Sequence, residues 1–338
     1  MPCYKVEALL PRCLDSLLAQ TLEGIEIVAV NDGSPDGCLS LLRDYESRHP
    51  QVIRVVDKRN GGLWRARWSG TDVATGDYVT YVDSDDYVTP SFARDLYETA
   101  VREDADIVVC GFQRIDELTG EPISTEMSEP RESFLAHGDP GRLVSINSAA
   151  WNKCYRRDLL MRMRRLEEPP AILEDVMLNQ LAFLAARRPV AFTGTAPYRY
   201  LIRGGSMINS ITTEQIETVK RALLEVKGAF GEQGAPTDLV RELDATAFLH
   251  MGVSMSFRLS NVPGIDLPAQ IADTTRFLDE HFPSWRRSPF IRPAYALRNG
   301  GAYVKLLLAQ WFYRAHLMPP FLRLYNLLIS KTGRDIKW

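Results

Sequence analysis

The chain has 338 residues, 45% of them hydrophobic and 25% charged, with a formal net charge of −3. That balance excludes a disordered chain, and no uninterrupted apolar run of about 18 residues marks a membrane-spanning helix. The length exceeds the ~100 to 200 residues of a usual domain, so a large domain with an appendage is expected. Charge is unevenly spread: from Arg286 onward ten basic residues face one acid, Asp335. Cys3, Cys13, Cys38, Cys110 and Cys154 show neither CxxC nor Cys/His ligand spacing, so no disulfide framework or zinc site is indicated, and a reducing cytoplasm fits. None of the opening residues reads as a signal peptide.

Apolar residues at Val6, Leu9, Leu10, Cys13, Leu14, Leu17 and Leu18 predict one buried helical face, with Pro11 at the start of the regular helix. Residues 26–30 read as a strand closing on the Gly-, Pro- and Asp-rich turn 31–37. A helix through Leu39, Leu42 and Tyr45, a strand at 52–56, the turn Asn60-Gly61-Gly62 and a helix through Leu63, Ala66, Gly70 and Val73 follow. Residues 77–82 then form a short run of β-branched and aromatic residues that ends in Asp83, Asp85 and Asp86. Thr89-Pro90 predicts the cap of a helix through Phe92, Leu96 and Ala100, and 107–110 a further strand.

This alternation predicts a three-layer α/β domain with a Rossmann-like, mostly parallel sheet. Ligands of such sheets gather beyond the carboxyl ends of the strands, so the turns after Val30, Val56 and Val82 are expected side by side at one rim. Residues 116–140 read as a loop. The catalytic domain is placed at 1–210 and a helical C-terminal region at 211–338, with helices near 214–230, 239–259, 271–281, 295–317 and 321–328, the last two split by Pro319-Pro320. That last pair mixes Leu, Trp, Tyr and Phe with Lys and Arg. Two readings stay open for it: an interfacial helix on an anionic membrane, or a bundle with solvated basic residues.

Three carboxylates within four residues repel one another and call for a cation or hydrogen-bond donors. A hard divalent ion, Mg²⁺ or Mn²⁺, held by one or two carboxylates and substrate phosphates would supply that; an acidic turn after a strand fits the segment taken alone equally well.

Taken together, Asn31-Asp32-Gly33-Ser34-Pro35-Asp36, Asn60-Gly61-Gly62-Leu63, Ala66-Arg67, Asp83-Ser84-Asp85-Asp86, Trp151-Asn152-Lys153, Glu174-Asp175 and Arg203-Gly204-Gly205-Ser206 resemble family 2 glycosyltransferases of the GT-A fold. The order resembles the bacterial branch that makes cell-surface polysaccharides and teichoic acid decorations, and the resemblance fades after about Ser210. It implies a metal-dependent, inverting transfer of a sugar from a UDP-sugar donor to a hydroxyl of a cell-surface glycan or lipid-linked acceptor, at the cytoplasmic side of the membrane and with no nucleic acid involved.

Residue by residue, the resemblance implies that Pro2 and Tyr4 lie against the base and that Asp32 reads the uracil, with Asn60 and Arg67 beside it. A carboxylate accepts from uracil N3–H, where cytosine presents a lone pair. It further implies that Asp83 and Ser84 lie near the ribose, Asp83 and Asp85 bind metal, and Arg203 and Ser206 close over the diphosphate. Asp175 would be the base with Glu174 its neighbour, and Trp151, Asn152 and Lys153 would contact the acceptor.

Lys5 and Trp68 stand where the family usually has Asn, and the strand expected before Pro2 is missing, which suggests that the native chain begins upstream of Met1. Two rivals remain in view. A sugar nucleotidyltransferase would need a Gly-rich basic loop that the opening residues do not show. A non-catalytic, membrane-associated glycan-binding module would account for the cationic tail.

Overall fold

The computed structural model describes residues 1–203 and 211–332, with side chains to 328; Ser206 lies outside the described residues. The chain forms two compact units: Met1–Gly138 with Asn147–Gly204, and Asp139–Ile146 with Gly205–Trp338.

The first unit opens with β1 (Pro2–Cys3), α1 (Leu10–Leu18), β2 (Ile27–Asp32), α2 (Cys38–Arg48), β3 (Ile53–Lys58) and α3 (Leu63–Val73). Here β1, β2 and β3 form a parallel sheet with Pro2 opposite Val30 and Asp32 opposite Lys58. This sheet opens on β1, which is two residues long. Leu10, Cys13, Leu14 and Leu17 of α1 are buried, as their spacing predicts. Burying a leucine of this kind contributes roughly 2 kcal/mol.

Next come β4 (Tyr78–Thr80), β5 (Tyr87–Val88), α4 (Phe92–Arg102), β6 (Ile107–Val109), β7 (Phe112–Asp116), β8 (Pro122–Glu126) and β9 (Phe134–Leu135). The unit ends with β10 (Lys153–Arg156), α5 (Arg157–Arg162), α6 (Glu174–Ala185), β11 (Pro189–Phe192) and β12 (Tyr198–Ile202). Two points differ from expectation. Residues 116–140, read as a loop, contain β8, which pairs with β7 as an antiparallel hairpin. The sheet after β3 is mixed, because β10 runs antiparallel between β4 and β6 in the order β4-β10-β6-β11-β9. A third sheet has the order β5-β12-β7-β8. Strand pairing over such distances leaves no local periodic signal, which is why the antiparallel insertion was invisible in the chain's pattern.

The second unit begins with a 3₁₀ turn at Pro140–Ser145 and continues with α7 (Thr213–Glu232), α8 (Thr237–Ala247), α9 (Met255–Leu259), α10 (Leu267–His281), α11 (Pro293–Asn299), α12 (Gly301–Arg314) and α13 (Met318–Thr332). A capping box starts α7: Thr212 Oγ1 accepts from Gln215 N at 3.2 Å and Gln215 Oε1 accepts from Thr212 N at 2.9 Å. A π-helical stretch, Phe248–Ser254, joins α8 to α9, and fully buried Trp285 stacks on Phe248 with ring centroids 4.6 Å apart. Pro319 and Pro320 do not split the last helices. They sit in the first turn of α13, where a missing N–H costs nothing, and the break falls before Met318.

Candidate active site

Asp32 ends β2 and is buried. Its Oδ1 accepts from Lys58 Nζ at 2.5 Å and Gly61 N at 2.9 Å, and its Oδ2 from Gly62 N at 2.8 Å. Gly62 caps α3, so the carboxylate also meets the positive end of that helix. Among the described residues Oδ2 has one protein donor, which leaves it able to accept another. Asn60 Nδ2 donates to the Asp32 carbonyl at 2.9 Å. The two turns touch at Gly33, where φ is +63° and a Cβ would lie 2.6 Å from Asn60 N, so only glycine fits without a shift.

Beside this turn, Tyr4 is 43% exposed while Pro2 is buried. Asp36 holds the segment that carries Tyr4: it accepts from Ser34 Oγ at 2.6 Å and Glu7 N at 3.2 Å, and Ser34 Oγ accepts from Lys5 N at 2.7 Å. Burial would raise the Asp36 carboxyl, but hydrogen bonds from Ser34, Cys38 and Glu7 outweigh it and hold the pKa at about 2.

The acids after β4 take three separate directions. Asp86 turns inward at 2% exposure, accepting from Tyr198 Oη at 2.8 Å and Leu201 N at 2.9 Å, and burial with nearby Asp83 lifts its pKa to about 8. It thereby ties the acidic turn to β12. Asp85 is part-exposed and pairs with Arg203, the residue that follows β12. Asp83 faces the buried Arg67 guanidinium, with Nη2 at 3.2 Å. Burial raises the Asp83 pKa, Arg67 opposes that, and Asp175 adds to it. Ser84 is buried against the Cys3 thiol, not turned outward as a donor contact would require.

Glu174 and Asp175 open α6, whose cap residue Leu173 has φ +60°. A left-handed conformation at a leucine is strained, and such strain gathers at functional sites. Asp175 accepts from Arg67 Nη1 and, through Oδ2, from Ala150 N at 3.0 Å. Glu174 lies 3.5 Å from the same Nη1; burial, then Asp175, push its pKa to about 8 against the pull of Arg67. Burial disfavours the Arg67 cation, yet Asp175, Asp83 and Glu174 together raise its pKa.

Several expectations are corrected by these positions. Arg67 bonds the acids of two separate turns, where the sequence placed it at the uracil. Trp151 is buried between Tyr198 and Tyr200, with ring centroids 4.3 and 5.3 Å away, and offers no open face to a sugar. Asn152 and Lys153 are fully buried and cannot touch an acceptor. Lys153 Nζ instead donates to Asn147 O, to Ala149 O at 2.6 Å and to Asn152 Oδ1 at 2.9 Å, holding the loop that presents Ala150 N to Asp175. Burial lowers the Lys153 pKa to about 7, with Asp175 and Cys110 opposing. The roles of Asp86, Lys58 and Tyr198 were missed; the run of three acids was the one signal, and it does not say which acid points inward.

Among the described residues no three Asp, Glu, His or Cys side chains converge as a metal cage. A cavity of about 270 Å³ opens at the other end of β4, lined by Asp77, Tyr78, Asp104 and Arg156, and takes no part in this site.

Residues 1–163 match the model of glycosyl transferase family 2. The N-terminal part of the chain belongs to that family. The chain is 39% identical over 196 residues to EpsJ of Bacillus subtilis (strain 168), an uncharacterized glycosyltransferase, covering 56% of this chain and 56% of EpsJ. Thus the match spans little more than half of that relative. With EpsH of the same organism it shares 28% identity over 260 residues, 75% of this chain and 74% of EpsH. The crystal structure of S. aureus TarS 1-349 in complex with UDP-GlcNAc aligns with a TM-score of 0.68 at 20% identity, covering 99% of this chain and 91% of that one. The family 2 architecture here is therefore the GT-A fold, and the Asp32, Asp83 and Asp85 turns lie within the matched segment while Asp175 lies beyond it.

Proposed function

We propose that the chain is an inverting glycosyltransferase that moves a sugar from a UDP-sugar to a hydroxyl of a cell-surface glycan or lipid-linked acceptor. One observation carries this: Asp83 and Asp175, from separate turns, meet on a single buried guanidinium, so donor-side and acceptor-side acids border one space. Tyr4 has the exposure to stack on a base, and Oδ2 of Asp32 can accept from uracil N3–H. The TarS complex with UDP-GlcNAc supports a uridine donor.

Asp83 and Asp85 are part-exposed carboxylates, paired here with Arg67 and Arg203. Two such carboxylates suit Mg²⁺ or Mn²⁺ bound mainly through donor phosphates, a mode that needs no protein cage. The ion would neutralise charge on the departing diphosphate. Asp175 accepts the proton of the acceptor hydroxyl as that oxygen bonds to the sugar C1 and the C1–O bond to UDP breaks; Arg203 offers charge to the leaving diphosphate.

The second unit supports peripheral attachment at the cytoplasmic face of an anionic membrane. Leu297, Leu308, Trp311, Leu317 and Leu324 are exposed, Leu297 at 82% and Trp311 at 64%, with Arg298, Arg314 and Arg323 exposed among them. No helix among the described residues is long and apolar enough to cross a membrane.

The reading is tested by incubating the protein with a panel of UDP-sugars and Mn²⁺ and measuring UDP release. Asp175→Asn should lower the rate by about 100-fold or more while leaving UDP binding intact. No release with any donor, together with unchanged UDP affinity in Asp85→Ala, would overturn it.

A further inference from the structure

Arg67 is an enclosed cation of the site, 3% exposed, while two of the side chains it holds are part-exposed: Asp83 at 25% and Asp175 at 21%. A planar guanidinium diverges at fixed angles, so one side chain can hold two carboxylates in a set relation that a single ammonium cannot reproduce. Here Nη1 takes Asp175, with Glu174 at 3.5 Å, and Nη2 takes Asp83 at 3.2 Å. Tyr81 backs the group, its ring centroid 5.6 Å from the Arg67 Cζ. Behind it, Thr71 Oγ1 bonds Arg67 O and Tyr81 Oη, both at 2.9 Å, which anchors this stretch of α3 to the segment leading into the acidic turn.

The other Asp175 oxygen is fixed by Ala150 N at 3.0 Å. Among the described residues each oxygen has one protein donor, so the carboxylate is held from both sides and keeps lone pairs that can accept from a hydroxyl. The same α3 begins at Gly62, whose amide binds Asp32. A single short helix thus registers the turn assigned to the base, the Asp83 turn and the Asp175 helix against each other.

We propose that Arg67 is a positioning residue for the transfer step, acting through Asp175 by holding it in register with Asp83, and not a uracil contact. The proposal rests on the glycosyltransferase reading above and on Asp175 as its base. Without Arg67, Asp83 and Asp175 would lose the cation they share and move apart, so Asp175 would leave its aim.

The experiment is a cycle of Arg67→Met, Arg67→Lys, Asp175→Asn and Arg67→Met/Asp175→Asn in the full chain, measuring kcat at saturating UDP-sugar and UDP affinity by calorimetry. Arg67→Met should lower kcat about 100-fold, a larger factor than its effect on UDP affinity, which also passes through Asp83. Arg67→Lys, which keeps the charge and loses the fork, should recover only part of the rate. The double variant should be no slower than Asp175→Asn, because Arg67 has nothing left to act through. Multiplying effects in the double variant, or a tenfold loss of UDP affinity at unchanged kcat, would overturn the proposal. If Arg67→Met does not fold, the same comparison runs on Arg67→Lys with and without Asp175→Asn. Failure of the parent protein to release UDP would instead sink the glycosyltransferase reading, so the two failures are distinct.

Discussion

Glu174 shows how a single side chain can set a pH dependence. Its folded pKa is pushed to about 8, from an ordinary value of 4.5, by burial and by Asp175, against the pull of Arg67. Between those values the folded protein keeps a proton that the unfolded chain releases. The stabilisation this brings is complete below pH 4.5 and is lost as pH rises through 8. Asp86 carries the same sign, its carboxyl also lifted to about 8. Thermal unfolding followed from pH 5 to 8 should therefore show stability falling with pH, and Glu174→Gln should flatten part of that slope. Parallel curves for parent and variant would show that Glu174 is ionised in the folded state. The neighbouring Leu173 at φ +60° is the local strain that accompanies the turning of these acids into the site.

At the scale of elements, the loop between the Pro140–Ser145 turn and β10 is built around Lys153, whose three N–H groups meet three oxygens. Lys153→Met would fill the volume and strand the Asn147 and Ala149 carbonyls. Urea unfolding should show a loss of about 2 to 3 kcal/mol. Because Ala150 N anchors Asp175, activity should fall further than UDP affinity. Unchanged stability would mean that the loop is held by something other than this lysine. The aromatic stack of Trp151 on Tyr198 and Tyr200 fixes the same β10 approach to β12, which carries Arg203 at its end. What looked in the chain like an acceptor motif is an internal brace between β10 and β12.

At the scale of the whole molecule, the exposed apolar residues of α11 to α13 belong to the second unit, as do the exposed Arg298, Arg314 and Arg323. Each basic residue near an anionic surface contributes about 1 kcal/mol, and burial of a leucine or tryptophan adds roughly 1.5 to 3 kcal/mol. Trp311→Ser combined with Leu308→Ser and Leu324→Ser should weaken binding to vesicles containing anionic phospholipid at least about tenfold, with UDP affinity unchanged. Equal sedimentation of parent and variant with such vesicles would remove these helices as the anchor.

Much of the frame was legible in the chain. Apolar spacing located α1, α2, α7 and α10, and Gly, Pro and Asp clusters located the turns, because helix period and turn chemistry are local properties. The ordered motifs identified the family and its GT-A fold. Whether Asp86 or Asp85 turns outward, which acids Arg67 joins, and that Asn152 and Lys153 lie inside were decided only by tertiary structure. These depend on which distant groups compensate a buried charge or a buried carbonyl, and a sequence lists such groups without saying which of them meet.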